Sequence, residues 1–463
     1  MSTGMTSNHR VAIGGNKAVL STVCPVWRVV PLLVVLPATA LALEGVPPAE
    51  GADGRGAHYT VLDAGMGVDT SNWDPPQEGS GSGPVAGRAS GSAARRGPQG
   101  IAVGIFRLHP EVTPSLRWED NVYKTATNTR SDVMEQLKTV LKLLTHWARN
   151  QVDVTYSNTI KHYQVLETED NIDHQLDMQA KLAPSRRLEL DLGYLAAIEH
   201  DERGVPGKAT VKSGGATVPV GPNAWLQNTA KGTARWKMRR LTSELKLEHG
   251  DRLSLNNNQS SQDRDWNDGG VTFKWSLTPK THLLTEMGYK ATHYEHSPQL
   301  SSTESRFLVG AGWKATARTE SNTKIGVTKK VLENAPNKDN LNLTWESGFV
   351  WQPQVRTRIN FTSHRNFQES EDQNEGFIST GFQLGLNHAL RPGWRLLAGL
   401  ELNTSTFETA KQENYWTSRL GMEYKLPEWF TLNTEFIHKI KRSTVLDAGY
   451  DSNALMLSVT GTF

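Results

Sequence analysis

In some stretches of this chain basic side chains stand two positions apart. Arg235 is followed by Lys237 and Arg356 by Arg358, while Arg395 and Arg419 stand singly in similar stretches. A spacing of two places side chains on one face of an extended strand. A face lined in this way can guide anions, as rings of Arg and Lys do in pores. Acids such as Glu189, Glu244, Glu286, Glu346 and Glu423 share that parity, so the competing reading is mutual pairing that merely solvates a wall. Assigned by parity alone, roughly 21 basic residues meet roughly 13 acidic ones.

Other chemistry is poorly served. The chain has no G-x-S-x-G nucleophile turn, no H-E-x-x-H pair and no phosphate-binding G-x-x-x-x-G-K-[ST]. Gly310-Ala311-Gly312 sits inside an alternating segment with no helix to follow it. His293 and His296 lie in a polar stretch without further residues at ligand spacing, so they read as surface histidines rather than a metal site. The single cysteine, Cys24, precedes a leader-like apolar run, leaving the rest of the chain without thiolate chemistry. No catalytic residue, cofactor or metal is expected. A net charge of +2 gives no footing for nucleic acid.

The elements that would carry the basic faces are strands. The final residues read ALMLSVTGTF, with Leu455, Leu457, Val459, Gly461 and Phe463 on one parity and mostly small or polar residues on the other. Such a strand, ending in an aromatic, suits the closing strand of an outer-membrane barrel, and Phe463 is the expected assembly signal. The same alternation returns at Lys231 to Met238, Leu341 to Trp351 and Ile378 to Leu386. About 18 segments fit it, centred near Leu116, Leu141, Val154, Met178, Leu190, Ala234, Leu245, Phe273, Met287, Val309, Ile325, Trp345, Ile359, Phe382, Leu400, Leu420, Thr434 and Val459. The segments at Leu245 and Ile325 alternate least clearly; without them the number falls to about 16.

Connections alternate between short ones, such as Ala183 to Arg187, Leu277 to Lys280, Gln352 to Gln354 and Ala389 to Gly393, and long ones, such as Asn121 to Ser131, His200 to Pro222 and Asn256 to Asp268. Short periplasmic turns opposite long outer loops mark membrane barrels. Trp147, Trp236, Trp275, Trp351, Trp394 and Trp429 all stand beside short connections, where an interfacial girdle would lie. The fold expected is all-β, a transmembrane antiparallel up-and-down barrel over residues 101–463. A mean hydropathy of −0.50 is compatible, because only one strand face need be apolar.

Residues 1–42, with Arg10, Lys17 and Arg28 before the run VVPLLVVLPATALA, read as a signal peptide cut after Ala42. Residues 43–100, rich in Gly, Pro, Ser and Arg, read as a flexible periplasmic arm.

The segment PSLRWEDNVYKT, from Pro114 to Thr125, with Ser131-Asp132 beyond it, resembles the opening of the β-barrel porin-2 family. Asp120, Asn121, Tyr123, Ser131 and Asp132 carry the match, and Tyr163 with Glu169-Asp170 extends it. The resemblance implies an outer-membrane barrel of a Gram-negative bacterium, often a product of exopolysaccharide or capsule loci, without a catalytic motif. A porin-like channel for anionic solutes or exported exopolysaccharide is the function expected; the alternative is a non-conducting surface-binding or hydrolytic barrel. Its partners would be outer-membrane lipid and lipopolysaccharide, the assembly machinery through the C-terminal strand, and polysaccharide-export components.

Overall fold

A computed structural model describes residues 100–145, 147, 150–205, 221–334, 340–370, 376–426 and 429–463. The expected leader (1–42) and all but Gly100 of the expected arm (43–100) lie outside the described residues. A short strand, β1 (Ile101–Val103), folds back on β2 (Phe106–Glu119). The barrel continues through β3 (Asp132–Thr145), β4 (Gln151–Tyr163), β5 (Asn171–Leu182), β6 (Leu188–His200) and β7 (Ala224–Lys237). Next come β8 (Leu241–Ser254), β9 (Arg264–Thr278), β10 (Thr281–Tyr294), β11 (Ser302–Thr316), β12 (Thr319–Leu332) and β13 (Asn340–Gln354). The last are β14 (Thr357–Glu369), β15 (Gly376–Arg391), β16 (Trp394–Phe407), β17 (Gln412–Lys425), β18 (Phe430–Ser443) and β19 (Tyr450–Thr462). Helical pieces among the described residues are single turns in the outer loops, such as Glu167–Glu169.

Strands β2 to β19 each pair antiparallel with the next, and β19 pairs with β2. The sheet therefore closes with 18 strands and no free edge, as a bilayer requires of any sheet that crosses it. Every expected centre falls inside a strand, including Leu245 in β8 and Ile325 in β12. The variant with 16 strands is thereby excluded.

Alternation fixes the faces. Leu116, Leu141, Leu245, Phe273, Met287, Phe382, Leu420 and Leu457 are exposed on the outer surface although large and apolar, which only lipid can cover favourably. Trp147, Trp236, Trp275, Trp351 and Trp429 are exposed beside the short turns, joined by Trp313, while Trp394 stacks on Tyr424 at 4.5 Å. This is the periplasmic aromatic girdle.

The turns at that end are tight. Val355-Arg356 joins β13 to β14, and Pro392-Gly393 joins β15 to β16 with Gly393 at φ +80°, where a Cβ is disfavoured. Residues Gln352 to Gln354, expected as a turn, belong to β13, whose pairing with β14 shifts register between Trp351 and Gln354. The outer strand ends run into polar sequence: β9 begins at Arg264, inside the expected connection Asn256 to Asp268, and β14 runs to Glu369. Polar composition had hidden these extensions, since a strand projecting above the bilayer needs no lipid face.

The seam between β19 and β2 aligns Leu457 with Leu116 and Leu455 with Trp118. Its ladder breaks beside Pro114, which has no N–H to donate. A hydroxyl contact between Thr113 and Thr460 at 3.0 Å spans the gap. At the lower end the Phe463 N–H donates to Pro110 O at 3.0 Å, and the Phe463 ring lies 6.0 Å from that of Trp429.

Candidate solute path through the barrel

Charged side chains line the inner face, and two sectors of it differ. Along β7 to β13 most inward cations are paired with acids. Arg235 reaches Glu244 at 3.1 Å, Glu189 at 3.3 Å and Asp191 at 3.4 Å. Arg306 forks onto Asp268 at 2.9 and 3.0 Å and also meets Glu286. Lys324 bridges Glu286 and Glu346 at 2.8 and 2.6 Å, and Lys330 holds Glu369 at 2.6 Å. Glycines let these side chains lie flat: a Cβ at Gly288 would fall 2.4 Å from Arg306 Nε. In this sector most inward cations have their charge matched by a wall acid.

The sector from β17 through the seam to β4 is different. Arg419, Lys439, Arg117, Lys138 and Lys161 face inward there by strand parity and register. Arg117 meets Glu119 at 3.1 Å and Lys161 meets Asp173 at 3.0 Å. Among the described residues Arg419 and Lys138 have no carboxylate within 4 Å, and Lys439 has only Glu202, at 3.9 Å.

The six basic residues singled out by spacing are thus divided. Arg235 and Lys237 share Glu189, with Arg235 the more heavily paired. Arg395 pairs with Glu423 at 3.0 Å. Arg358 donates to Asn360 Oδ1 at 3.0 Å and, like Arg419, has no ion pair among the described residues. Arg356 stands in a two-residue turn at the periplasmic rim, not on a strand. The parity count also missed inward acids above the bilayer or at strand ends, including Glu111, Asp268, Glu304 and Glu413. Inward Arg264 and Lys441 were missed as well, Lys441 buried against Glu413 at 2.9 Å.

Sequence spacing gave no hint of Glu202. Residues after β6 turn inward: Trp225 Nε1 donates to Asp201 Oδ1 at 2.8 Å. Arg203 forks onto Glu169 at 2.6 and 2.7 Å and lies 5.6 Å over the Tyr123 ring. Tyr450 Oη donates to Gly204 O at 2.8 Å. These anchors carry Glu202 into the cation-rich sector, where Lys439 foremost, with Arg117, Lys161 and Lys124, draws its carboxyl down to about 2. Lys124 is buried with φ +55°, touching Glu119 and donating to Ser452 Oγ at 2.8 Å. Burial, then Lys439 and Arg117, push its ammonium down, while the Glu202 carboxylate opposes them.

The residues that carried the family resemblance prove to be fasteners around this sector. Asn121, almost fully buried, donates to Thr125 O at 2.8 Å and Asp451 O at 3.0 Å, and Asp120 accepts from both nitrogens of Asn453 at 2.7 Å. Asp132 accepts from the amides of Val133, Val165 and Leu166. Two acids at the outer end act as anchors: Glu169, buried against Arg203, and Glu369 at the end of β14, held by Lys330. His293 and His296 are exposed, and no group of acids, histidines or cysteines among the described residues could hold a metal.

The family model for putative beta-barrel porin 2 matches residues 94–463. No curated protein matches the chain significantly. Among solved structures the chain is similar to Pseudomonas aeruginosa OpdK with vanillate, at 10% identity over 77% of this chain and 99% of that one, with a TM-score of 0.44. It is also similar to Pseudomonas aeruginosa OccK2 (8% identity, 77% and 98% covered, TM-score 0.45) and Acinetobacter baumannii OccAB3 (9%, 78% and 100%, 0.43). With the closed sheet and its lipid-facing band, the family match settles the class: the chain belongs to the β-barrel porin 2 family and is a porin-like barrel of the Gram-negative outer membrane.

Proposed function

We propose that this barrel conducts anionic solutes, an acidic exopolysaccharide chain being the longest such cargo. The observation that supports the reading is the inner sector of Arg419, Lys439, Arg117, Lys138 and Lys161, whose cations are only partly matched by wall acids. A cation already held by two or three carboxylates exerts little field on a solute. One without a partner raises the local concentration of anions. By this reasoning Arg419 and Arg358 guide solutes, whereas Arg235, Lys237 and Arg395 mainly brace the wall. Lipopolysaccharide would surround the outer leaflet, and the assembly machinery would engage the strand ending at Phe463. Polysaccharide-export components would stand at the periplasmic mouth when the cargo is a polymer. No chemical transformation is part of this role.

Reversal potentials in planar bilayers under a salt gradient test the proposal. Anion selectivity is expected, weakened by Arg419→Gln and nearly unchanged by Arg235→Gln. A cation-selective or closed channel would sink it.

A further inference from the structure

The segment Asp201 to Val205 does more than narrow the lumen. Its anchors are all on neighbours of Glu202, not on Glu202 itself: Asp201 is held by Trp225, Arg203 by Glu169, and Gly204 by Tyr450. Gly204 has φ +76°, and a Cβ there would lie 2.6 Å from Tyr450 Oη, so the backbone is seated closely against the β19 wall. The Glu202 side chain projects free of these contacts and is 61% exposed. Its carboxylate faces the Lys439 ammonium at 3.9 Å, with Arg117 and Lys161 nearby. Arg117 and Lys161 each have a wall acid, but for Lys439 Glu202 is the sole carboxylate within reach among the described residues.

We propose that Lys439, Arg117 and Lys161 form a subsite for the carboxylate group of a passing solute, and that Glu202 is its built-in occupant. The inference rests on the anion-channel reading above and adds to it a ligand class and a competitor. A carboxylate is the anion the site already holds, so an entering carboxylate can replace it without rearranging the cations. The exchange needs only rotation of the Glu202 side chain about its own bonds, because the backbone is pinned on both sides. Solvent in the lumen receives the displaced carboxylate, which lowers the barrier to exchange. The resident acid thereby weakens retention, and weak binding lets a solute leave as well as enter.

Calorimetry on the full barrel in detergent reads the subsite whether or not the pore conducts. Glucuronate is the probe, with glucose as its uncharged counterpart and inorganic phosphate as a different anion. Glu202→Gln should bind glucuronate about tenfold tighter than the native chain, since a competing charge at contact distance is removed. Lys439→Gln should bind it more weakly, with heat-modifiable migration confirming that this variant is folded. Glucose should not bind. Equal or weaker glucuronate binding by Glu202→Gln would overturn the proposal, as would no binding by either protein or equal binding of glucose. Phosphate bound more tightly than glucuronate would overturn the carboxylate assignment. Reversal potentials separate the two levels: anion selectivity with an unresponsive Glu202→Gln refutes the subsite alone, and cation selectivity refutes the conduction reading while calorimetry still scores the subsite.

Discussion

Replacing Glu169 with Gln removes the charge that fastens Arg203 while preserving side-chain size. The pair is bidentate at 2.6 and 2.7 Å, with only 4% of the Glu169 side chain and 14% of that of Arg203 exposed. Breaking a buried ion pair typically costs about 3 to 5 kcal/mol. Arg203 can turn into the water of the lumen once released, so a smaller cost of about 2 to 3 kcal/mol applies. That loss shifts the docked-to-released equilibrium of residues 201–205 by about 30- to 150-fold. Arg203 is the only arginine between Asp201 and Asn223, so an Arg-specific protease reports its release directly. When opening is rapid, cleavage at Arg203 should accelerate by the same factor in Glu169→Gln barrels. Glu135→Gln, which alters an exposed outer-face acid contacting Gln164, should leave the rate unchanged. A rise below about threefold in Glu169→Gln would refute the claim that this pair holds the segment in the lumen.

Three further outcomes are expected. The Glu202 carboxyl is lowered to about 2 by its cations, so its contribution to docking is complete above the ordinary carboxylate range and lost only as pH falls through its own value. Hydrogen exchange at Gly204 and Val205, corrected for intrinsic rates, should therefore keep the Glu202 contribution down to about pH 4 and lose it toward pH 2, and a Glu202→Gln barrel should lack that acid step. Gly288→Ala sets a Cβ 2.4 Å from Arg306 Nε and should dislodge Arg306 from Asp268, lowering stability by about 1 to 3 kcal/mol in urea unfolding from lipid vesicles. Deleting Phe463 removes its hydrogen bond to Pro110 and its ring beside Trp429, and should reduce the heat-modifiable, membrane-inserted fraction; an unchanged fraction would count against a role in closing the barrel.

The fold was legible because lipid imposes a period of two on every strand that crosses it. Strands β8 and β12 showed the limit of that signal. In β8, Glu244, Lys246 and Glu248 alternate cleanly with Leu245 and Leu247, but His249, Asp251 and Arg252 blur the pattern above the bilayer. In β12, Thr319, Ser321 and Thr323 occupy outward positions, and Thr323 spends its hydroxyl on Ser347 at 2.9 Å. Polar pairs of this kind satisfy each other across neighbouring strands, so the outer face tolerates them although a hydropathy pattern does not anticipate them.

The inward charge pattern was legible only in part, for a different reason. Parity says which side chains face the lumen, but the value of an inward cation depends on which acid stands beside it on the next strand. That is a matter of register, set by the turns and the seam, and register is not written in any single strand. Arg235 and Arg419 look alike in sequence, each basic and inward in an alternating run. Register places Arg235 opposite Glu189 on one side and Glu244 on the other, and Arg419 opposite Gly399 and Ile437. One is consequently bound into the wall, whereas the other faces neighbours with no charge to offer. Glu202 lies a step farther from the sequence: it is inward because Arg203 finds Glu169 and Gly204 finds Tyr450, contacts made between segments as much as 246 residues apart. The motif residues near the start of the barrel take part in the same arrangement. Asp120 and Asn121 fasten the seam beside Asn453 and Asp451, and Tyr123 lies under Arg203. A change at any of them would therefore act on the lumen by shifting the support of Glu202, without altering a single inward cation.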